Sequence, residues 1–215
     1  MAFRPSVPPG SSARPPAINL PPLTLALLGA MTAIYLALLL APPEVERLVV
    51  VYFAFIPAAY VSEGWPLWSL LVAPFSYALL HGGLGHLALN GVMLAVMGQV
   101  LERRLGPDRF LLLFAAGVAG GALVHVIIGG SPRAPLIGAS AGVGGLYGAG
   151  FVLHRRGVNL GPNAQLLVAL AGLFIIINLL GVVLPILSNI AYAAHLGGFI
   201  TGALAAARLR VPGRF

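Results

Sequence analysis

The sequence has 215 residues, 59% of them hydrophobic and only 8% charged, with a mean hydropathy of +0.98. Soluble domains carry roughly a quarter charged residues, so composition excludes an ordinary soluble fold, and the length suits about six spans of ~20 residues with no second domain. Cysteine is absent, which removes disulfides, thiolate metal sites and cysteine nucleophiles; the net charge of +7 comes from arginines placed singly or in pairs beside apolar runs, a pattern that does not indicate a nucleic-acid partner.

Residues Met1 to Asn19 are rich in Pro, Ser and Ala and include Arg4 and Arg14. They bury too little apolar surface to offset ordering entropy, and a disordered cytoplasmic tail is expected over residues 1–19. The first span is expected from Leu23 to Ala41. Its apolar run exceeds that of a signal peptide, so it is read as retained. Pro42 to Gly83 then forms a long connection whose Trp65, Trp68, Phe75 and Tyr77 suit the headgroup level, which places it in the outer interface.

Five more apolar runs follow: Leu84 to Leu101, Phe110 to Ile128, Gly138 to Leu153, Ala164 to Leu187 and Ile190 to Ala207. The expected fold is an all-α membrane bundle of six transmembrane helices over residues 20–208, with a long outer loop between helices 1 and 2 and a cytoplasmic tail at 209–215. The arginines support this count. Arg4 and Arg14, then Arg103, Arg104 and Arg109, then Arg155 and Arg156, then Arg208, Arg210 and Arg214 fall on alternate loops, and only Arg47 and Arg133 fall opposite. The positive-inside rule then puts both termini in the cytoplasm. The short loops and the absence of Lys and Cys point to a bacterial inner membrane.

Polar side chains inside spans are costly and face the bundle interior or a wet cavity. Here they are His81, His86, Asn90, Glu102, His125, Ser140 and His195. Counting back to the cytoplasmic arginines at 1.5 Å per residue sets Asn90 and His195 about 20 Å, Ser140 about 22 Å and His86 about 26 Å above the inner side. Three helices therefore bring polar groups to one level, about 8–10 Å below the outer edge of the hydrocarbon core. His86 and Asn90 share a helix face. The fourth helix is expected to begin near Ser140, below the surface, after the Ser131 to Pro135 loop. Ser140, Gly144 and Gly148 form one small-residue stripe, and Ala194, Gly198 and Gly202 another; such stripes let helices approach closely enough for Ser140 to meet His195.

Glu44, Glu46 and Glu63 lie in the outer loop, and Glu102 and Asp108 near the inner face, so no carboxylate sits at the right depth. A Ser140–His195 dyad is therefore expected rather than a Ser-His-Asp triad, with His195 oriented by packing and other polar contacts. Glu102 is expected to hold the inner helix ends together, by pairing with Arg103 or Arg104 or by accepting hydrogen bonds. His125 reads as a satisfied core histidine. A metal or haem site built on His81, His86 and His195 is disfavoured by the lack of an HExxH pair and of a nearby carboxylate, and no cofactor is expected. A transporter would call for inverted repeats or paired broken helices, neither of which is visible.

Four motifs, in order and spanning about Trp65 to Gly202, resemble the rhomboid family of intramembrane proteases: His81-x4-His86-x3-Asn90; Gly98-Gln99-Val100-Leu101-Glu102-x3-Gly106; Gly138-Ala139-Ser140-Ala141; and Ala194-His195-Leu196-Gly197-Gly198-x3-Gly202. The resemblance implies a rhomboid-like domain that hydrolyses transmembrane-helix substrates in the lipid bilayer. Ser140 would be the nucleophile and His195 the general base. His86, Asn90, Gly138 and the Ser140 amide would form the oxyanion and substrate-binding site, and His81, Gly198 and Gly202 would be structural. The alternative is an inactive rhomboid-like protein that binds membrane clients. The chain departs from the common family pattern at Ala141 (often Gly), Ser69 after Trp68 (often Arg) and Gly144 (an aromatic in some members).

Overall fold

The computed structural model describes residues 19–128, 132–162, 164–183 and 191–211. The expected tail up to Ile18 and residues 212–215 lie outside this set, as do the far end of span five and the first residue of span six. Among the described residues the regular elements are all helices, and the one β-type pairing is an isolated bridge between Phe55 and Leu136. In chain order the helices are α1 Pro22–Leu40, α2 Pro43–Phe53, α3 Leu67–Ser76, α4 Leu84–Met97, α5 Arg103–Leu105, α6 Pro107–Ile128, α7 Ser140–Arg155, α8 Ala164–Val183 and α9 Tyr192–Arg208. A π-helical turn, Gly98–Glu102, joins α4 to α5, making one apolar span from Leu84 to Leu105.

The six expected spans are thus α1, the α4–α5 unit, α6, α7, α8 and α9. The first three are long and apolar enough to cross a membrane on length and composition alone. At 16 and 17 residues, α7 and α9 measure only about 24–26 Å, less than a hydrocarbon core of ~30 Å. Each is therefore too short to span such a core fully, and α7 begins at Ser140 itself. Large exposed apolar side chains on α1, α6 and α8, among them Leu39, Leu112, Ile127 and Ile176, are what an integral membrane protein presents to lipid.

Packing is tightest where side chains are smallest. A Cβ on Gly117 of α6 would stand 2.8 Å from the Gly145 Cα of α7, and one on Gly198 or Gly202 of α9 would overlap the carbonyl oxygen of Ala141 or Gly145. Backbone therefore lies on backbone, and α7 is enclosed by α6 and α9.

At the far end of the α4–α5 span from Leu84, Glu102 reaches the first turn of α1. One carboxylate oxygen accepts from the Leu23 amide at 2.9 Å, and the other from the Thr24 amide at 2.7 Å and the Thr24 hydroxyl at 2.6 Å. An acid at this position satisfies donors that a helix start leaves unpaired and offsets its positive dipole end. Of the two roles expected for Glu102, accepting hydrogen bonds is the one seen. Replacing it with alanine unpairs three donors at about 1 kcal/mol or more each. Glu102→Ala is thus expected to lose on the order of 3 kcal/mol, read as a lowered unfolding midpoint in detergent, with Glu102→Gln in between; an unchanged midpoint in both would contradict this account.

The outer connection is more ordered than a loop in the interface. It folds into α2 and α3 with two short 3-10 turns, Pro57–Tyr60 and Tyr77–Leu79. Trp68 and Phe75 remain about half exposed, as interfacial aromatics should be. Tyr77 does not: it is fully buried, and its hydroxyl donates to the Val118 carbonyl at 2.8 Å. A polar hydroxyl with an internal acceptor gains more from the core than from the headgroups.

Candidate active site

Ser140 is placed by the segment before it. The Ala58 amide donates to the Pro132 carbonyl at 2.8 Å, Phe55 and Leu136 exchange backbone bonds at 3.1 and 2.9 Å, and the Gly138 amide donates to the Tyr77 carbonyl at 2.9 Å. The outer connection thus clamps the strand-like approach to α7. Gly138 has φ +110°, a conformation that favours glycine, and a Cβ there would fall 2.6 Å from His86 Cε1 and Nε2. Glycine is required on both counts, and its bare face lets the His86 ring lie against the backbone two residues before Ser140.

Across the α7–α9 seam, Ser140 Oγ lies 2.6 Å from His195 Nε2. Both residues are half-buried. On the other ring edge, His195 Nδ1 lies 2.8 Å from Asn178 Oδ1 of α8. The Phe174 ring, one turn earlier on the same face of α8, packs against the imidazole with centroids 5.5 Å apart.

Asn90 is buried. Its Nδ2 donates to the His86 carbonyl at 3.0 Å and would be 3.7 Å from a Gly138 Cβ, while its Oδ1 is buried with no partner among the described residues. One N–H of that amide is engaged and the second is free to donate. The structure therefore brings together Ser140 with His195, and His86 with Asn90 and Gly138. His81 stands behind His86, ring centroids 5.1 Å apart, and donates from Nδ1 to the Leu79 carbonyl at 3.4 Å. Glu102 is at the opposite end of the span. His125 is in the core, but it is not the satisfied histidine expected: its Nδ1 has no partner among the described residues.

Residues 64–211 match the family model described as the Rhomboid domain. The chain belongs to the rhomboid family. It is 37% identical over 148 residues to Rhomboid protease GluP of Bacillus subtilis, a match that covers 67% of this chain and 27% of GluP. RHOMBOID-like protein 4 of Arabidopsis thaliana is 33% identical over 145 residues, 66% of this chain and 33% of that protein. Inactive RHOMBOID-like protein 8 of Arabidopsis is 29% identical over 142 residues, 66% of this chain and 38% of that protein. The chain thus spans about a quarter to two fifths of the length of these three relatives.

Within this rhomboid, the departures noted in the sequence have physical counterparts. Ser69, where arginine often stands, is buried and donates from its hydroxyl to the Tyr52 carbonyl at 2.7 Å, tying α3 to α2. Gly144, where some members carry an aromatic, leaves the space that Phe174 fills: a Cβ there would already be 3.1 Å from the Phe174 ring. The ring beside His195 thus comes from α8 instead of α7. Ala141 is buried, with its carbonyl oxygen where a Cβ on Gly198 would fall.

Asn178 and Phe174 are what sequence reasoning passed over. Asn178 is an amide deep in the apolar run of span five, and it stands about 21 Å along the helix from Ala164 at 1.5 Å per residue, close to the level of Ser140 and His195. The depth count that gathered the other polar residues would have found it.

Proposed function

We propose that this rhomboid is an intramembrane serine endopeptidase that hydrolyses peptide bonds of transmembrane proteins through an acyl-enzyme. The observation that carries the reading is the 2.6 Å approach of Ser140 Oγ to His195 Nε2 from two separate spans. In this reading His195 takes the serine proton as the oxygen attacks a substrate carbonyl, then returns it to the leaving amine; water reverses the sequence to free the acid product. The free Asn90 N–H, a His86 ring N–H and the Ser140 amide at the start of α7 are the donors that meet the developing oxyanion. Gly138 keeps those donors together. His81 supports His86, while Gly198 and Gly202 hold α9 close enough to α7 for the pair to meet. The unit at work is residues 20–208, in a bacterial inner membrane with both termini cytoplasmic, and it uses no cofactor.

A substrate helix hides its carbonyls in internal hydrogen bonds, so part of it has to unwind at the site. Incubation of the purified protein in vesicles with a single-span substrate, followed by mass spectrometry, tests the reading. Two products whose new ends fall in or beside the apolar segment are expected; recovery of intact substrate bound to the protein would instead make it a client binder.

The base must be neutral, and protonation removes it. Cleavage is therefore expected to fall as pH drops through the imidazole range and to level off above it. Initial rates that show no fall on the acid side at any pH where the protein stays folded would count against His195 as the base.

A further inference from the structure

We propose that Asn178 is a positioning residue for the reaction: its side-chain oxygen selects the tautomer of His195 that leaves Nε2 free to take the serine proton. The proposal rests on the reading of Ser140 and His195 given above and adds a third member, contributed by α8.

The argument begins with a carbonyl. Asn178 Nδ2 donates to the Phe174 carbonyl, one turn back in the same helix, at 2.7 Å. A carbonyl accepts only, so the atom beside it must be the NH₂ group, and the amide has one orientation instead of two. The atom then facing His195 is Oδ1, at 2.8 Å from Nδ1. Oδ1 also accepts only, so the proton of the neutral ring sits on Nδ1. Nε2 is left with its lone pair, aimed at Ser140 Oγ. One backbone carbonyl of α8 thereby sets the amide, the amide sets the tautomer, and the tautomer sets the base.

Burial makes the choice firm. Asn178 is only 8% exposed, so water does not compete for its amide, and leaving either ring nitrogen unpaired at this depth would be costly. Phe174, on the same face, packs against the ring and limits its rotation. An asparagine aligns the imidazole as an aspartate would, but it brings no charge to favour the protonated ring. Among the described residues, the titratable group acting on His195 from another helix is His86 of α4, which the test variants leave in place.

Two variants test this, with wild type and Ser140→Ala measured beside them on one single-span substrate in vesicles. Asn178→Leu removes the acceptor and is expected to lower kcat on the order of 10–100-fold with little change in KM, part of the 10²–10⁴-fold that a positioned base supplies. Asn178→Asp keeps an acceptor toward Nδ1 and adds a charge that stabilises the imidazolium. It is expected to retain more activity than the leucine variant and to move the acid limb of the kcat profile to higher pH. The charge moves the limb whatever Asn178 does in the wild type, so the discriminating readout is turnover: a purely structural asparagine would leave kcat per folded protein unchanged in both variants. If the leucine variant does not fold, the imidazole nitrogen spectrum of the wild type decides, and it is expected to show the proton of the neutral His195 ring on Nδ1. Wild-type kcat in Asn178→Leu, or a neutral His195 ring that carries its proton on Nε2, while Ser140→Ala is inactive, would overturn the role of Asn178 and leave the dyad standing. Cleavage by Ser140→Ala at the wild-type rate would overturn the reading of the site itself.

Discussion

Alanine at Ser140 is expected to reduce cleavage of a transmembrane substrate by on the order of 10⁴-fold or more, because members of a nucleophile–base pair act as a unit and losing one forfeits most of what both supply. His195→Ala should fall to a similar level, and the double variant should be little worse than either single one. The fold should survive the serine change. Only a hydroxyl is deleted, Cβ and the backbone amide remain, and the lost hydrogen bond is worth about 1 kcal/mol. Equal unfolding midpoints with a loss of turnover separate chemistry from collapse. Additive losses in the double variant would show that the two side chains work independently.

Valine at Gly202 is expected to be the most damaging of the structural changes. A Cβ there overlaps the Gly145 carbonyl oxygen and falls against the rest of that peptide unit, so the obstacle is backbone that no rotamer change relieves. Replacing a helical glycine with a larger residue ordinarily gains up to about 1 kcal/mol in helix propensity. Overpacking costs about 1–3 kcal/mol even where side chains can yield, so here the clash outweighs the gain. Gly202→Val should lower the unfolding midpoint sharply and abolish cleavage, because prising α9 from α7 separates His195 from Ser140. Gly29 on α1 is the control: it has open space around it, and Gly29→Ala should leave both stability and activity near wild type. Comparable losses at Gly29 and Gly202 would remove packing as the cause.

Much of this arrangement was legible before any coordinates, for definite reasons. A bilayer enforces span length, so the order and approximate bounds of the spans could be read from apolar runs. Depth is a linear count along a helix, which is why Ser140, His195, His86 and Asn90 fell on one level. What could not be read were relations between distant segments. Nothing in the sequence says that Glu102 accepts from Leu23 and Thr24, or that the Ser69 hydroxyl answers the Tyr52 carbonyl. The short helices α2 and α3 hid in a connection punctuated by prolines, and Tyr77 passed for an interfacial aromatic because its acceptor, Val118, lies on another span. Asn178 was missed differently. The search for an orienting partner looked for a carboxylate, and in a bilayer a neutral amide does the same alignment without the cost of burying a charge.

The most direct test is a fluorophosphonate probe reacted with the folded protein, followed by peptide mapping of the adduct. An activated serine should take up one probe per chain on Ser140, lose it in Ser140→Ala and react far more slowly in His195→Ala. Protein that cleaves its substrate yet carries the label on another residue, or labels at the same rate without His195, would contradict the account.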